Sequence, residues 1–265
     1  MSSVVRVKSN LAPSSFSKVD SQSFGLFVVE LTLTAKSPIS FGEHEAANRI
    51  RGMWGKSLYG GEMYSRLFAP SRRDAGPSGL KDPPRPYVLR TRALDGRSFA
   101  AGEAIPFRAH VFDRSLVGEE SVAVTLDLAA QQKVVSRVQV EFLTPTELKG
   151  GEGAEFAVLF ARLRDRLSSL RALYGDGPLD IDFVGMAKRA RAVRVIESEL
   201  TMVDRDRVSR RTGERHSIGG FMGRVIYEGE LSEFLPYLAA GEWTGVGRQT
   251  VWGKGEIQTM CLNSG

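Results

Sequence analysis

Glu155-Phe156-Ala157-Val158-Leu159-Phe160-Ala161-Arg162-Leu163-Arg164-Asp165-Arg166-Leu167-Ser168-Ser169-Leu170-Arg171-Ala172-Leu173-Tyr174 is the stretch from which the fold is read. Phe156, Leu159, Phe160, Leu163, Leu167, Leu170 and Leu173 recur at helical spacing, so one face is apolar. The spacing predicts a helix over 155–174, and Gly175 is a natural C-terminal stop. Just upstream, Val138, Val140 and Phe142 alternate with Arg137, Gln139 and Glu141, the pattern of a half-buried strand. Thr144-Pro145 ends that strand, and a short acidic glycine loop at 150–153 leads into the helix. Downstream, strand patterns fall at about 191–203 and 221–228, a short helix at 231–240 and a last strand near 255–261. The order is β-α-β-β-α-β, the ferredoxin-like pattern. This is also the scaffold of the RRM, which binds RNA, though the fold hosts many functions.

Towards the N-terminus the same pattern begins again. Residues 24–35 alternate, with Phe27, Val29, Leu31 and Leu33 on one face. Residues 43–59 read as a helix with Ala46, Ala47, Ile50, Met53, Trp54 and Leu58 on one side and His44, Gly52, Gly55 and Lys56 on the other. A Pro/Gly/Arg-rich loop covers 69–86, and short strands are expected near 87–93 and 104–112. The segment 115–132 supports both readings, since Val122, Val124, Leu126 and Leu128 alternate while 126–132 has helical composition. The fold class expected is α+β, two tandem ferredoxin-like (RRM-like) domains with the first trimmed. Residues 1–23, with eight serines, form an arm; 24–133 form the first domain and 134–265 the second.

The composition is that of a globular chain, 42% hydrophobic and 25% charged. One cysteine excludes an internal disulfide framework and a cysteine-based zinc site. No run of about 18 apolar residues and no signal-peptide core is present, so a cytoplasmic protein without a membrane span is expected. The formal net charge is +5 and its cations cluster. Lys188, Arg189, Arg191 and Arg194 form one group, and Arg205, Arg207, Arg210, Arg211 and Arg215 another. Such clusters suit a polyanionic partner, or else form a solvated face balanced by the interspersed Asp204, Asp206 and Glu214.

The most distinctive loop is Gly245-Val246-Gly247-Arg248-Gln249-Thr250-Val251-Trp252-Gly253-Lys254-Gly255. Its glycines, Gly245, Gly247, Gly253 and Gly255, permit positive φ and close backbone approach. Successive N–H groups there can cradle an anion, with Arg248 and Lys254 adding charge. The plainer reading is a tight connection between a helix and a final strand.

Several local motifs, taken in order, resemble the CRISPR-associated RAMP endoribonucleases that cut precursor CRISPR RNA within its repeats. They are Arg51-Gly52-Met53-Trp54-Gly55-Lys56-Ser57-Leu58, Arg85-Pro86-Tyr87-Val88-Leu89, and the run from Val140 to Lys149. Ser209-Arg210-Arg211-Thr212 with Gly219-Gly220-Phe221-Met222-Gly223 follows, and then the glycine loop. The resemblance implies two ferredoxin-like domains, a glycine loop near the RNA and metal-independent cleavage with no cofactor. It departs from the family at Thr244, where members of this branch often carry a histidine.

Metal-free RNA cleavage needs a base for the 2′-hydroxyl, an acid for the leaving 5′-oxygen and cations for the phosphorane. Histidine suits either proton role because its ordinary pKa is near neutrality. The chain has three. His44 lies in the strand-to-helix region where the family, when it uses histidine, places it; it is the catalytic candidate, with His216 of the basic run as the alternative. His110 falls inside a strand and reads as structural. Lys56 is an RNA contact at most, because twelve helical residues span about 18 Å from His44. The arginines at 205, 207, 210, 211 and 215 are candidates for phosphate contacts. The carboxylates show no metal-binding spacing.

The expected partner is CRISPR repeat RNA, as precursor and mature guide. Association with CRISPR effector subunits and homodimerisation stay open. The competing reading is a non-catalytic RAMP-type RNA-binding subunit, which would keep the loop and the arginines and make His44 incidental.

Overall fold

The computed structural model of the chain describes residues 23–69, 83–129, 134–150, 153–204, 206–208, 215–217 and 219–262. The arm and the centre of the 69–86 loop therefore lie outside the described residues. The chain divides into two compact units. One takes in the chain up to Leu126 with Ser168–Leu179 and Val251–Gly253. The other takes in Asp127–Leu167, Asp180–Thr250 and the chain from Lys254.

The first unit is built from β1 (Ser23–Thr34), β2 (Ile39–Ser40), α1 (Ala46–Leu58), α2 (Glu62–Leu67), β3 (Tyr87–Arg90), β4 (Ser98–Phe99), β5 (Ala104–Val111) and β6 (Val122–Asp127). Its four-stranded sheet has the order β3-β5-β1-β6, and β2 and β4 form a separate two-residue ribbon. Strand β1 runs antiparallel to β5, with Phe27 opposite Val111 and Thr34 opposite Ala104. Phe27, Leu31 and Leu33 of β1 are buried, as the alternation requires. The core gathers on Trp54 of α1, whose ring meets Phe68 at 5.3 Å and Tyr87 at 5.1 Å, both edge-on. In the doubtful segment Val122–Asp127 is the strand β6, while 130–132 lie outside the described residues. Ahead of β6 stands a single 3-10 turn, Arg114–Leu116, capped by the Asp113 carboxylate, which accepts from the Ser115 N–H at 2.9 Å.

The second unit runs β7 (Arg137–Thr146), α3 (Phe156–Tyr174, whose residues from Ser168 on count with the first unit), α4 (Phe183–Ala190), β8 (Arg194–Val203), β9 (Asp206–Val208), β10 (Arg215–Ser217), β11 (Gly220–Glu228), α5 (Leu235–Thr244) and β12 (Ile257–Cys261). Its sheet has the order β12-β7-β11-β8, which is fourth, first, third and second in the ferredoxin-like count. Val140 of central β7 faces Val225 on one side and Thr259 on the other. Phe156, Leu159, Phe160, Leu163 and Leu167 of α3 are at most 1% exposed, so the stripe read from sequence is the core face. Two elements are additions to the sequence reading. Helix α4 is short and starts at Asp182, whose carboxylate accepts from the Gly185 N–H at 2.8 Å. The ribbon β9–β10 lies within the basic run. Among the described residues no helix is long and apolar enough to cross a membrane.

Candidate functional site

His44 does not start the helix. It sits in the turn before α1 with φ +55°, a left-handed conformation, and α1 begins two residues later. Two carboxylates build that turn. Glu45 accepts from the Gly42 N–H at 3.1 Å, and Asp95 accepts from the Ala46 N–H at 2.9 Å. The ring is half-buried, and its Nδ1 is buried without a hydrogen-bond partner. Holding a non-glycine residue at positive φ costs of order 1 kcal/mol, and such residues concentrate at functional sites. Among the described residues only one other non-glycine residue has positive φ, and it is Gln249 of the glycine loop.

The loop uses all four of its glycines at positive φ, between +68° and +80°. At Gly247 a methyl would collide with the Glu147 carbonyl, and at Gly255 with the Val246 carbonyl. The plainer reading of the glycines is thus met: they let the backbone fold tightly on itself. The anion-nest expectation is narrowed accordingly. The Val246 N–H donates to Gly255 O at 2.8 Å, Arg248 N–H to Glu147 O at 3.1 Å, and Gly255 N–H to Pro145 O at 3.2 Å. Those groups are engaged inside the fold.

The two loop cations part company. Arg248 projects outward, its side chain 61% exposed, with one guanidinium N–H donating to Glu147 Oε1 at 2.6 Å. Lys254 turns inward and is 4% exposed. Its Nζ donates to Gly219 O at 2.6 Å and Gln249 Oε1 at 3.1 Å, and lies 3.5 Å from Glu147 Oε2. The expectation of a surface cation at Lys254 is therefore corrected. Burial pushes its ammonium below the ordinary lysine value, against the pull of Glu147. Burial alone would raise the Glu147 carboxyl, yet the bonds and charges of Arg248, then Lys254, outweigh it and hold it low.

Trp252 lies in a 3-10 turn, Thr250–Trp252. Within the first unit the Arg51 guanidinium lies over its ring at 5.7 Å and over Phe68 at 5.2 Å. On α1, Lys56 and Gly52 are exposed as expected, but Gly55 is buried, and a methyl there would touch the Phe68 ring at 3.0 Å. His110 is buried in β5, opposite Val28 and Val88.

The basic run forms a ribbon. His216 of β10 faces Arg207 of β9, and Arg215 faces Val208. Arg205, Arg210 and Arg211 lie outside the described residues. The other cationic group is largely balanced: Arg189 pairs with Glu233 at 2.6 Å and Arg194 with Glu228 at 2.7 Å.

Residues 140–257, from central β7 through the glycine loop to the first residue of β12, match the family model of the CRISPR-associated endoribonuclease Cas6. Over that stretch the chain is similar to the CRISPR-associated RAMP endoribonucleases. Solved structures share its fold. A Thermus thermophilus Cas6 superposes with a TM-score of 0.56 at 14% identity, covering 90% of this chain and 99% of that one. A Cas6 product complex gives 0.53 at 18% identity, covering 89% and 100%. A partial Cas6-RT-Cas1-Cas2 complex gives 0.51 at 14% identity, covering 91% of this chain and 46% of that one. No curated protein matches.

Thr244, the position that departs from the family branch, is fully buried at the end of α5. Its hydroxyl donates to Ala240 O or Gly245 O, each 3.1 Å away. Sequence reading gave Glu147 no role beyond a motif letter. The only signal was an acid two residues after Pro145, which the sequence reading took as the strand's end but which lies inside β7, in a chain whose loop carries two cations.

Proposed function

We propose that the chain is a metal-independent endoribonuclease that cuts CRISPR repeat RNA. The 2′-hydroxyl attacks the adjacent phosphate, and the products carry a 2′,3′-cyclic phosphate and a 5′-hydroxyl. The match of residues 140–257 to the Cas6 family model supports the repeat-processing class. His44 is the residue for the proton transfer, and the observation that carries this is its strained, half-buried placement with an unpartnered ring nitrogen. A base there takes the 2′-hydroxyl proton while the leaving 5′-oxygen receives one. His216 is the alternative. Exposed Arg248 and Lys56, with the arginines of the basic run, supply phosphate contacts, which give salt-sensitive affinity more than sequence reading. The glycines Gly245, Gly247, Gly253 and Gly255 shape the loop that carries Arg248.

A second reading, a non-catalytic RNA-binding RAMP subunit, draws on Thr244, which offers no titratable group where the family branch often has one. The two separate by incubating the wild-type protein with its repeat RNA in EDTA and analysing the product ends. Cleavage leaving a cyclic phosphate supports the enzyme. Tight binding with intact RNA, in EDTA and with Mg²⁺ alike, supports the subunit. Cleavage only with Mg²⁺ removes the metal-independent mechanism.

A further inference from the structure

We propose that Glu147 is a positioning residue: it holds the glycine loop in the shape that presents Arg248 to RNA, with Lys254 as the buried pin. This rests on the reading that the loop contacts RNA. The carboxylate is divided between two cations. Oε1 takes the outward Arg248 at 2.6 Å, and Oε2 faces the inward Lys254 at 3.5 Å. The Glu147 carbonyl accepts the Arg248 N–H at 3.1 Å, so main chain and side chain of one residue grip another. Gly247 fits between them only because it lacks a Cβ.

Lys254 extends the grip. An ammonium has three donors. Here they meet Gly219 O, Gln249 Oε1 and Glu147 Oε2, so none is left for a phosphate. The contacts tie the residue ahead of β11, the end of β7 and the loop to one another. Gln249 reaches Lys254 from a left-handed backbone, so its own strain is held by the same contact. Arg248 is left with one N–H on Glu147 and a side chain 61% exposed. A guanidinium has five donors in a fixed fork, so anchoring one aims the rest.

The test compares repeat-RNA affinity across salt concentrations for wild type, Glu147→Gln, Arg248→Ala and the double variant, with melting temperatures as the check on folding. If Glu147 merely neutralises a cation, removing its charge tightens RNA binding. If it positions Arg248, Glu147→Gln weakens binding although a negative charge has gone. The expected result is a loss of about tenfold in each single variant, with the salt slope reduced by about one. The double variant should be no weaker than Arg248→Ala, because Glu147 acts through Arg248. Losses that multiply in the double variant would overturn the proposal, since they are those of a general structural defect. Binding by Glu147→Gln at or above the wild-type level, with Arg248→Ala weak, would overturn the positioning role alone. An Arg248→Ala variant with wild-type affinity and slope would remove the loop–RNA reading beneath it.

Discussion

Tyr87 shows how far one side chain's surroundings move its chemistry. The phenol has no exposed surface and packs on Trp54 at 5.1 Å and Phe68 at 5.7 Å. Burial pushes its pKa up to about 12, against the pull of Arg51 and Arg85. In the unfolded chain a tyrosine titrates near 10. The native state therefore keeps its proton where the unfolded chain releases it. Stability from this group is complete below about pH 10 and is lost as pH climbs through about 12, by roughly 3 kcal/mol in all. Denaturation measured across that range should show the fall in wild type, and Tyr87→Phe should flatten it. An unchanged slope in the variant would assign the alkaline loss to other groups. At this scale the sequence was legible for residue type and place. His44 stands out as a histidine between a strand and a helix. Its left-handed backbone depends on Glu45 and on Asp95, fifty-one residues away, and no local pattern reports such a partner.

Among the elements, periodicity was a sound guide wherever one face is buried. The stripe of α3 and the alternation of β1 and β7 are all core faces. It failed where burial is slight. Helix α4 has eight residues and two buried ones, too few for a period to show, and the Asp182 cap was its one local mark. The glycines need the structure to tell them apart. Gly52 on α1 has nothing within 4 Å of where a Cβ would stand, whereas Gly255, at φ +73°, would drive one into Val246 O. Gly52→Ala should stabilise the protein by up to about 1 kcal/mol through helix propensity. Gly255→Ala should destabilise it by at least about 2 kcal/mol, from left-handed strain and collision together. Denaturant midpoints check both. Equal effects of the two substitutions would mean that the loop relaxes freely, contrary to its internal hydrogen bonds.

Across the whole molecule both units repeat one strand order, and the first keeps a single 3-10 turn where the second has α5. The trimming was visible as a stretch with conflicting patterns; its outcome was not, because Val122–Asp127 becomes a strand by pairing in a sheet formed with distant residues. The net charge of +5 pointed to a polyanion, yet charge counts overstate what is free. Arg189, Arg194 and Lys254 are engaged by acids or carbonyls, while Arg248 is both held and exposed. What remains is a fold with an exposed, anchored Arg248 and a His44 held at positive φ, the residue proposed for proton transfer. The most direct test is single-turnover cleavage of the cognate repeat RNA by wild type and His44→Ala in EDTA, with binding measured alongside. We expect His44→Ala to bind as wild type does and to cleave about 10²- to 10⁴-fold more slowly, the range for loss of a general acid or base. Cleavage at the wild-type rate would contradict the assignment and move the chemistry away from His44.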